Sequence, residues 1–246
     1  MTARRTCLIT GASRGIGAAI ARHLALAGWD LLLVSRTEPT LAQFAQDLPM
    51  GPGARAHYLA ADMGDPDDVD RVAAWALTRV PQLDALIISA GMGAIGPLES
   101  FPLRRLEKML TINVRAPYAL VQSLLPALRV AGTESPHGAK VIALASLTGL
   151  VGQPLNSAYG ATKAALISLC ETLNTEESTR GVLATAVCPG YVATDMTTGI
   201  TDTVPADTML DVEDVALMVV SLLALSSRVV IPTLVMTRPS PNLWQA

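Results

Sequence analysis

The chain predicts a doubly wound α/β fold: one parallel sheet of about seven strands with helices on both faces. Three observations carry that reading. Short apolar runs alternate with longer amphipathic ones along the whole chain. Several of the short runs are apolar at successive positions, as strands covered on both faces of a parallel sheet require. A glycine-rich segment, Thr10–Gly17, stands between the first strand-like run and the first helical pattern.

The strand-like runs are Thr6–Thr10, Leu31–Ser35, Ala56–Ala60, Ala85–Ser89, Lys140–Ala145, Leu183–Cys188 and Ile231–Met236. After the first, Ile16, Ile20 and Leu24 recur at helical spacing, and Gly28 supplies the helix end. Asp65-Pro66-Asp67-Asp68 reads as an N-cap, a proline at the first helical position and acid in the first turn. Asp211 before Val212-Glu213-Asp214 opens the last long helix similarly. Met109–Leu125 reads as one apolar helix in which Asn113 marks either an exposed amide or a kink. Ala131–Gly138 reads as a surface loop. The polar run 197–210, broken by Gly199 and Pro205, reads as a mobile lid. Strand–helix alternation gives right-handed crossovers, and with no repeat or linker residues 1–246 form a single domain.

Composition narrows the function. A chain of 246 residues, 50% hydrophobic, buries a full core without disulfide or metal staples. The three cysteines, Cys7, Cys170 and Cys188, lie in apolar runs and read as buried thiols in a reducing cytoplasm. His23, His57 and His137 are scattered, so no metal site is expected. A net charge of -3 without a Lys/Arg cluster gives no footprint for nucleic acid. Val215–Leu225 is the most apolar stretch, well short of the roughly 20 residues of a membrane span. The N-terminus runs straight into a strand, leaving no room for a signal peptide.

Thr10–Gly17 has the composition of a phosphate cradle. Gly11, Gly15 and Gly17 let the backbone turn and approach a pyrophosphate closely, with Ser13, Arg14 and Ile16 between them. The helix N-terminus behind them offers free N–H groups. A ligand-free glycine turn is the bland alternative. The second strand ends Val34-Ser35-Arg36, without the carboxylate that would accept a ribose 2′-OH. Arg36, with Arg14 approaching from the loop, suits a 2′-phosphate, which favours NADP(H) over NAD(H).

Tyr159 and Lys163 are four apart at the start of a helical pattern, on one face with Cβ atoms about 5–6 Å apart. An ammonium there would lower the phenol's pKa from its ordinary value near 10 and make it a working acid or base. Alone, such a pair occurs on many helix surfaces; its setting is what gives it weight. Ser146 ends the fifth strand on the carboxyl edge, where open α/β sheets bind ligands.

In these residues the chain resembles the short-chain dehydrogenase/reductase family over nearly its whole length. Thr10–Gly17 follows the family's Thr-Gly-x-x-x-Gly-x-Gly; Asn113, Ser146, Tyr159 and Lys163 follow its tetrad in order and spacing. Ser89-Ala90-Gly91 replaces the usual Asn-Ala-Gly, a mild departure. The resemblance implies a Rossmann-like fold and an enzyme that interconverts a carbonyl and an alcohol. Ser146 would orient the carbonyl, Tyr159 would exchange the proton, Lys163 would hold the ribose and tune Tyr159, and Asn113 would keep a relay water. It further implies that Ser35, Asp62, Met63, Ala90 and Gly91 face the cofactor, Asp62 at the adenine. Pro189 and Gly190 would belong to the family's Pro-Gly segment at the cofactor, whose Val192 backbone and Thr194 hydroxyl would hold the nicotinamide amide. A non-catalytic protein that keeps the fold to sense NADP or to act as a scaffold is the alternative.

The residues expected to line the substrate pocket, Met92, Ile95, Leu147, Leu150, Val151, Tyr191 and Met196, are mostly apolar. They point to a small-molecule substrate that is uncharged and fairly hydrophobic. A homodimer is expected, as in relatives, through helices near Leu103–Leu128 and Ser157–Thr179. Leu120, Leu124, Leu125 and Leu128 supply more apolar positions than one core-facing stripe needs. Pro239 and Pro241 stop the last strand near Met236, which weakens the case for a tetramer built through the tail.

Overall fold

A computed structural model describes residues 4–200, 204–239 and 242–244. Seven strands form one sheet in the order β3-β2-β1-β4-β5-β6-β7, every neighbouring pair parallel. They are β1 (Thr6–Thr10), β2 (Asp30–Ser35), β3 (Ala56–Ala60), β4 (Ala85–Ile88), β5 (Ala139–Leu144), β6 (Val182–Pro189) and β7 (Thr233–Met236). Between them run α1 (Gly15–Leu26), α2 (Glu38–Gln46), α3 (Pro66–Arg79), α4 (Leu103–Leu110), α5 (Ala116–Glu134), α6 (Ser157–Glu177) and α7 (Val212–Ala224). The strand order reverses at β1, with β2 on one side and β4 on the other. A crevice opens at the carboxyl ends of the strands at such a reversal.

Each face of the sheet has its own core. One buries Val69 and Val72 of α3, Leu120 and Leu124 of α5 and Leu166 and Ile167 of α6. The other buries Ile20 and Leu24 of α1 with Val215 and Val219 of α7. The acidic caps act as the sequence suggests: Asp65 Oδ1 accepts from Asp67 N at 3.0 Å, and Asp211 Oδ1 from Glu213 N at 2.9 Å. The last strand ends at Met236, ahead of the two prolines. Among the described residues no helix is long and apolar enough to cross a membrane, and no group of acidic, His or Cys side chains could hold a metal ion.

The structure corrects three local expectations. Met109–Leu125 is not one helix: α4 stops at Leu110, Thr111–Arg115 forms a π turn, and α5 begins at Ala116. The kink is real, but Asn113 is 1% exposed, so it is not a surface amide. Ala131–Gly138 is not all loop, because α5 continues to Glu134 with Ala131 and Gly132 buried. Packing overrides glycine's weak helix propensity there: a Cβ on Gly132 would meet Arg180 O at 2.5 Å. Leu120, Leu124 and Leu128 face the protein's own core, so they do not supply a second apolar face. The expected lid at 197–210 falls partly on residues 201–203, outside the described residues. Its far end is anchored, Leu210 N donating to Tyr191 O at 2.9 Å and Leu210 O accepting from Ala193 N at 3.0 Å.

One side chain closes the sheet where a strand does not. Pairing between β6 and β7 begins at Ala186↔Thr233. Before that point, Asn174 of α6 takes the strand's place on Ala184: Nδ2 donates to Ala184 O and Oδ1 accepts from Ala184 N, both at 2.8 Å. Asn174→Leu should therefore destabilise the fold by roughly 2–4 kcal/mol, a buried donor and acceptor each losing its partner. Urea unfolding measures it, and a loss within error of zero would refute this role.

Candidate active site

A cavity of about 610 Å³ lies in the crevice. Gly11, Ser13, Arg14, Gly15 and Ile16 form one wall, and Ser35 and Arg36 cap the end of β2. Asp62 and Met63 follow β3, Ala90 and Gly91 follow β4, and Thr194 closes the far side. The loop can lie this close to the sheet only as glycine: Gly11 has φ 68, and a Cβ on it would stand 2.8 Å from Ala90 N. Gly17 does not line the cavity; a Cβ there would collide with Gly11 O, so it lets α1 start directly behind the loop. Thr10 Oγ1 accepts from Ser89 N at 3.2 Å and Ala90 N at 3.1 Å, holding the segment after β4 against β1.

The cavity's β2 end fits a ligand with hydrogen-bonding oxygens. Ser35 Oγ is buried and has no hydrogen-bond partner among the described residues, and Arg36, Thr37 and Thr40 line the wall beside it. Arg14 Nη1 pairs with Asp195 Oδ2 at 3.3 Å. Both side chains are well exposed, so the pair is weak and readily exchanged. Asp62 Oδ1 accepts from Gly64 N at 2.9 Å, which fixes the carboxylate at the cavity wall.

The other end of the site is closed by bonds of the protein's own. Ser146 Oγ accepts from Thr148 N at 3.3 Å and from Thr148 Oγ1 at 3.0 Å. With those acceptor sites used, its proton is left for Tyr159. Tyr159 follows on α6; burial pushes its phenol up to about 12, while a hydrogen bond with the Ser146 side chain pulls it back. Lys163 is buried one turn on, and burial pushes its ammonium down to about 8. Its Nζ donates to Leu144 O at 2.6 Å and lies 5.5 Å from the centre of the Tyr159 ring. The pair thus forms as its spacing predicts, but the expected lowering of the phenol's pKa does not follow, because desolvation dominates. A Cβ on Gly91 would lie 3.5 Å from both Lys163 Nζ and Asn113 Oδ1. Both groups therefore sit directly behind the cavity wall.

Asn113 works as a clamp. Its Oδ1 accepts from Met92 N and its Nδ2 donates to Met92 O, both at 2.8 Å, and Nδ2 also donates to Thr162 Oγ1 at 3.0 Å. Thr162 Oγ1 in turn donates to Tyr159 O at 2.8 Å. Both amide protons are taken, so the side chain cannot donate one to a relay water.

The comparisons agree with this geometry. The profile of the short chain dehydrogenase family matches residues 5–205. The chain belongs to that family. It is 31% identical over 194 residues to a D-beta-hydroxybutyrate dehydrogenase of Rhizobium meliloti, covering 78% of this chain and 73% of the relative. It superimposes with TM-score 0.85 on an alcohol dehydrogenase from the archaeon Thermococcus sibiricus, solved with 5-hydroxy-NADP, at 27% identity over 97% of this chain and 100% of the other. The NADP complex of RhlG from Pseudomonas aeruginosa gives TM-score 0.85 at 28% identity, covering 96% of this chain and 94% of that one.

Within this short-chain dehydrogenase, Tyr159, Lys163, Asn113 and Ser146 lie behind or beside the cavity rather than on its wall, joined to it through Gly91 and Gly93. A Cβ on Gly93 would lie 3.7 Å from Tyr159 Cε2 and 3.6 Å from Met196 Sδ. Pro189 ends β6, Gly190 N donates to Met236 O at 2.8 Å, and Val192 is buried; of that segment only Thr194 reaches the cavity. Of the expected substrate residues, Met92 and Met196 line the cavity. Leu150 and Val151 line a second hollow of about 200 Å³ beside Thr148. Leu147 is fully buried and packs the core instead. Sequence reading missed Thr148, Thr37, Thr40, Asp195, Lys108 and Ile112. The last two were legible at helical spacing just before Asn113, whereas Thr148 shows its role only through its bonds to Ser146.

Proposed function

We propose that the protein is an NADP(H)-dependent oxidoreductase that interconverts a carbonyl and an alcohol, with Tyr159 as its acid and base. The observation that carries this reading is the convergence of Ser146, Tyr159 and Lys163 beside Gly91 and Gly93, at the inner end of the cavity. NADP(H), when bound, supplies or accepts the hydride. Ser146, whose acceptor sites are occupied by Thr148, has one proton, shared with Tyr159 here and turned to the substrate oxygen when a carbonyl binds. Tyr159, with a phenol raised to about 12, is protonated at neutral pH and therefore ready to give its proton to that oxygen during reduction. Lys163 lies where its charge favours the phenolate that remains. Gly11–Gly17 and the start of α1 suit the pyrophosphate, and Ser35 Oγ with Arg36 suits the 2′-phosphate. NADP in two of the similar structures supports that choice. Met92 and Met196 favour an uncharged, fairly hydrophobic substrate.

We propose a homodimer through the same two helices, although Leu120, Leu124 and Leu128 are not the residues at its surface. The outer face of α6 carries small exposed residues, Ala161, Ala164 and Ser168, over which a second helix could approach closely, and Tyr118 of α5 is exposed. Light scattering at micromolar concentration should give twice the monomer mass; a stable monomer would refute it.

Two substitutions test the chemistry. Tyr159→Phe should lower turnover on a panel of carbonyl compounds by about 10²–10⁴-fold while NADPH affinity stays nearly constant. A variant as active as the wild type, or a wild type inert across the panel, would favour the non-catalytic alternative. The wild type should also bind NADPH well ahead of NADH, and Arg36→Asp should narrow or reverse that preference. Equal affinities in the wild type would end the case for NADP.

A further inference from the structure

Asp67 and Asp68 both stand in the first turn of α3, where acids complement the helix dipole, but Asp68 also reaches out of the helix. An acid at the third helical position ordinarily turns back to the N–H of the capping residue. Here that N–H, on Asp65, donates instead to Asp62 O at 2.9 Å. The Asp68 carboxylate passes over the cap, and its Oδ2 accepts from Asp62 N at 2.7 Å. Its Oδ1 accepts from Arg71 Nη2 at 2.6 Å and from Nε at 3.2 Å. Arg71 Nη2 also donates to Ala60 O at 2.8 Å.

The two side chains thus brace the chain where it leaves β3. That strand is an edge of the sheet, hydrogen-bonded to β2 alone, so no further strand supports its exit. What leaves it is part of the site: Ala61, Asp62 and Met63 line the cavity, as Ser35 and Arg36 do. Ala61 N, between the two braced positions, donates to Ser35 O at 2.9 Å, which ties the same turn to the end of β2. Stability is a poor explanation for the brace. The Arg71 side chain is 48% exposed, and ion pairs in that setting add little to a fold. Asp65 already caps α3 through Asp67 N. Neither Asp68 nor Arg71 lines the cavity, so both act through the wall they hold.

We infer that Asp68 and Arg71 are positioning residues for the cofactor, fixing the wall at Asp62 against which its adenosine end binds while touching neither cofactor nor substrate. This rests on the NADP(H) reading above.

Calorimetric titration with adenosine 2′,5′-bisphosphate, which has that end alone, and with NADPH tests it. Asp68→Ala should weaken both ligands by the same factor, about tenfold, the scale of one hydrogen bond lost at a binding site. Arg71→Met keeps the stem but removes the bonds to Asp68 and Ala60, and it should weaken both ligands in the same way. Asp67→Ala removes the same charge from the same turn and should bind as the wild type does. Thermal melting shows which variants are folded; if Asp68→Ala is not, Arg71→Met decides. Wild-type affinities in Asp68→Ala and Arg71→Met would overturn the inference. An equal loss in Asp67→Ala would also overturn it, since charge alone would then account for the effect. So would an NADPH loss much larger than the bisphosphate loss, which would place the damage away from the adenosine end. A wild type that binds neither ligand would overturn the NADP(H) reading itself, and the inference with it.

Discussion

Two backbone contacts hold the turn after β5 against the first turns of α6, and the chemical end of the site depends on them. A Cβ on Gly160 would stand 2.7 Å from Thr148 O, and a Cβ on Gly149 would stand 2.8 Å from Lys163 C. Larger residues at either position would push the turn away from the helix. Ser146 and Thr148 are on that turn, Tyr159 and Lys163 on that helix, so their convergence is set by main-chain packing. Asn113 fixes the third side by joining Met92, after β4, to Thr162 of the same helix. Three separate stretches of chain are thereby brought together at one strand edge, with little side-chain freedom left to lose when a substrate arrives.

Burial then sets the electrostatics. Packing that brings Tyr159 and Lys163 together buries Lys163 and takes most of Tyr159 out of water, and this burial raises the phenol to about 12 and lowers the ammonium to about 8. Both shifts favour the neutral forms. A neutral phenol suits proton donation, the half of the reaction that accompanies reduction. The hydrogen bond with Ser146 opposes the shift on Tyr159. Cys7, Cys170 and Cys188 show the same desolvation with no chemistry attached: each is buried, and burial raises each thiol.

Much of this was legible in the sequence, for identifiable reasons. The central strands were legible because burial on both faces leaves continuous apolar runs, as in Thr6–Thr10, buried along its whole length; Ala56–Ala60 also forms where expected but is a partly exposed edge strand. The caps of α3 and α7 were legible because aspartate at an N-cap satisfies local N–H groups. Asn113, Tyr159 and Lys163 could be picked out by spacing. Their environment could not: periodicity does not show that Asn113 sits in a π turn with both amide protons taken, nor that burial raises the phenol of Tyr159. Gly132 was misread for a related reason. Its helical state depends on contact with Arg180 and Gly181, distant in sequence, and local propensity carries no trace of that.

The two ends of the cleft are built differently, and the difference bears on how binding and chemistry share the work. At the chemical end Asn113, Ser146 and Lys163 are each held by bonds within the protein. At the other end Ser35 Oγ is an unpaired buried oxygen, and Arg14 is held only by an exposed pair with Asp195. Groups that must stabilise developing charge are most effective when fixed in advance, since no reorganisation is then needed during reaction. Groups that only bind can exchange partners, and Arg14 can leave Asp195 for a phosphate at little loss because the existing pair is solvated. Rigid packing at one end and replaceable contacts at the other thus let cofactors enter and leave without disturbing the geometry around Tyr159.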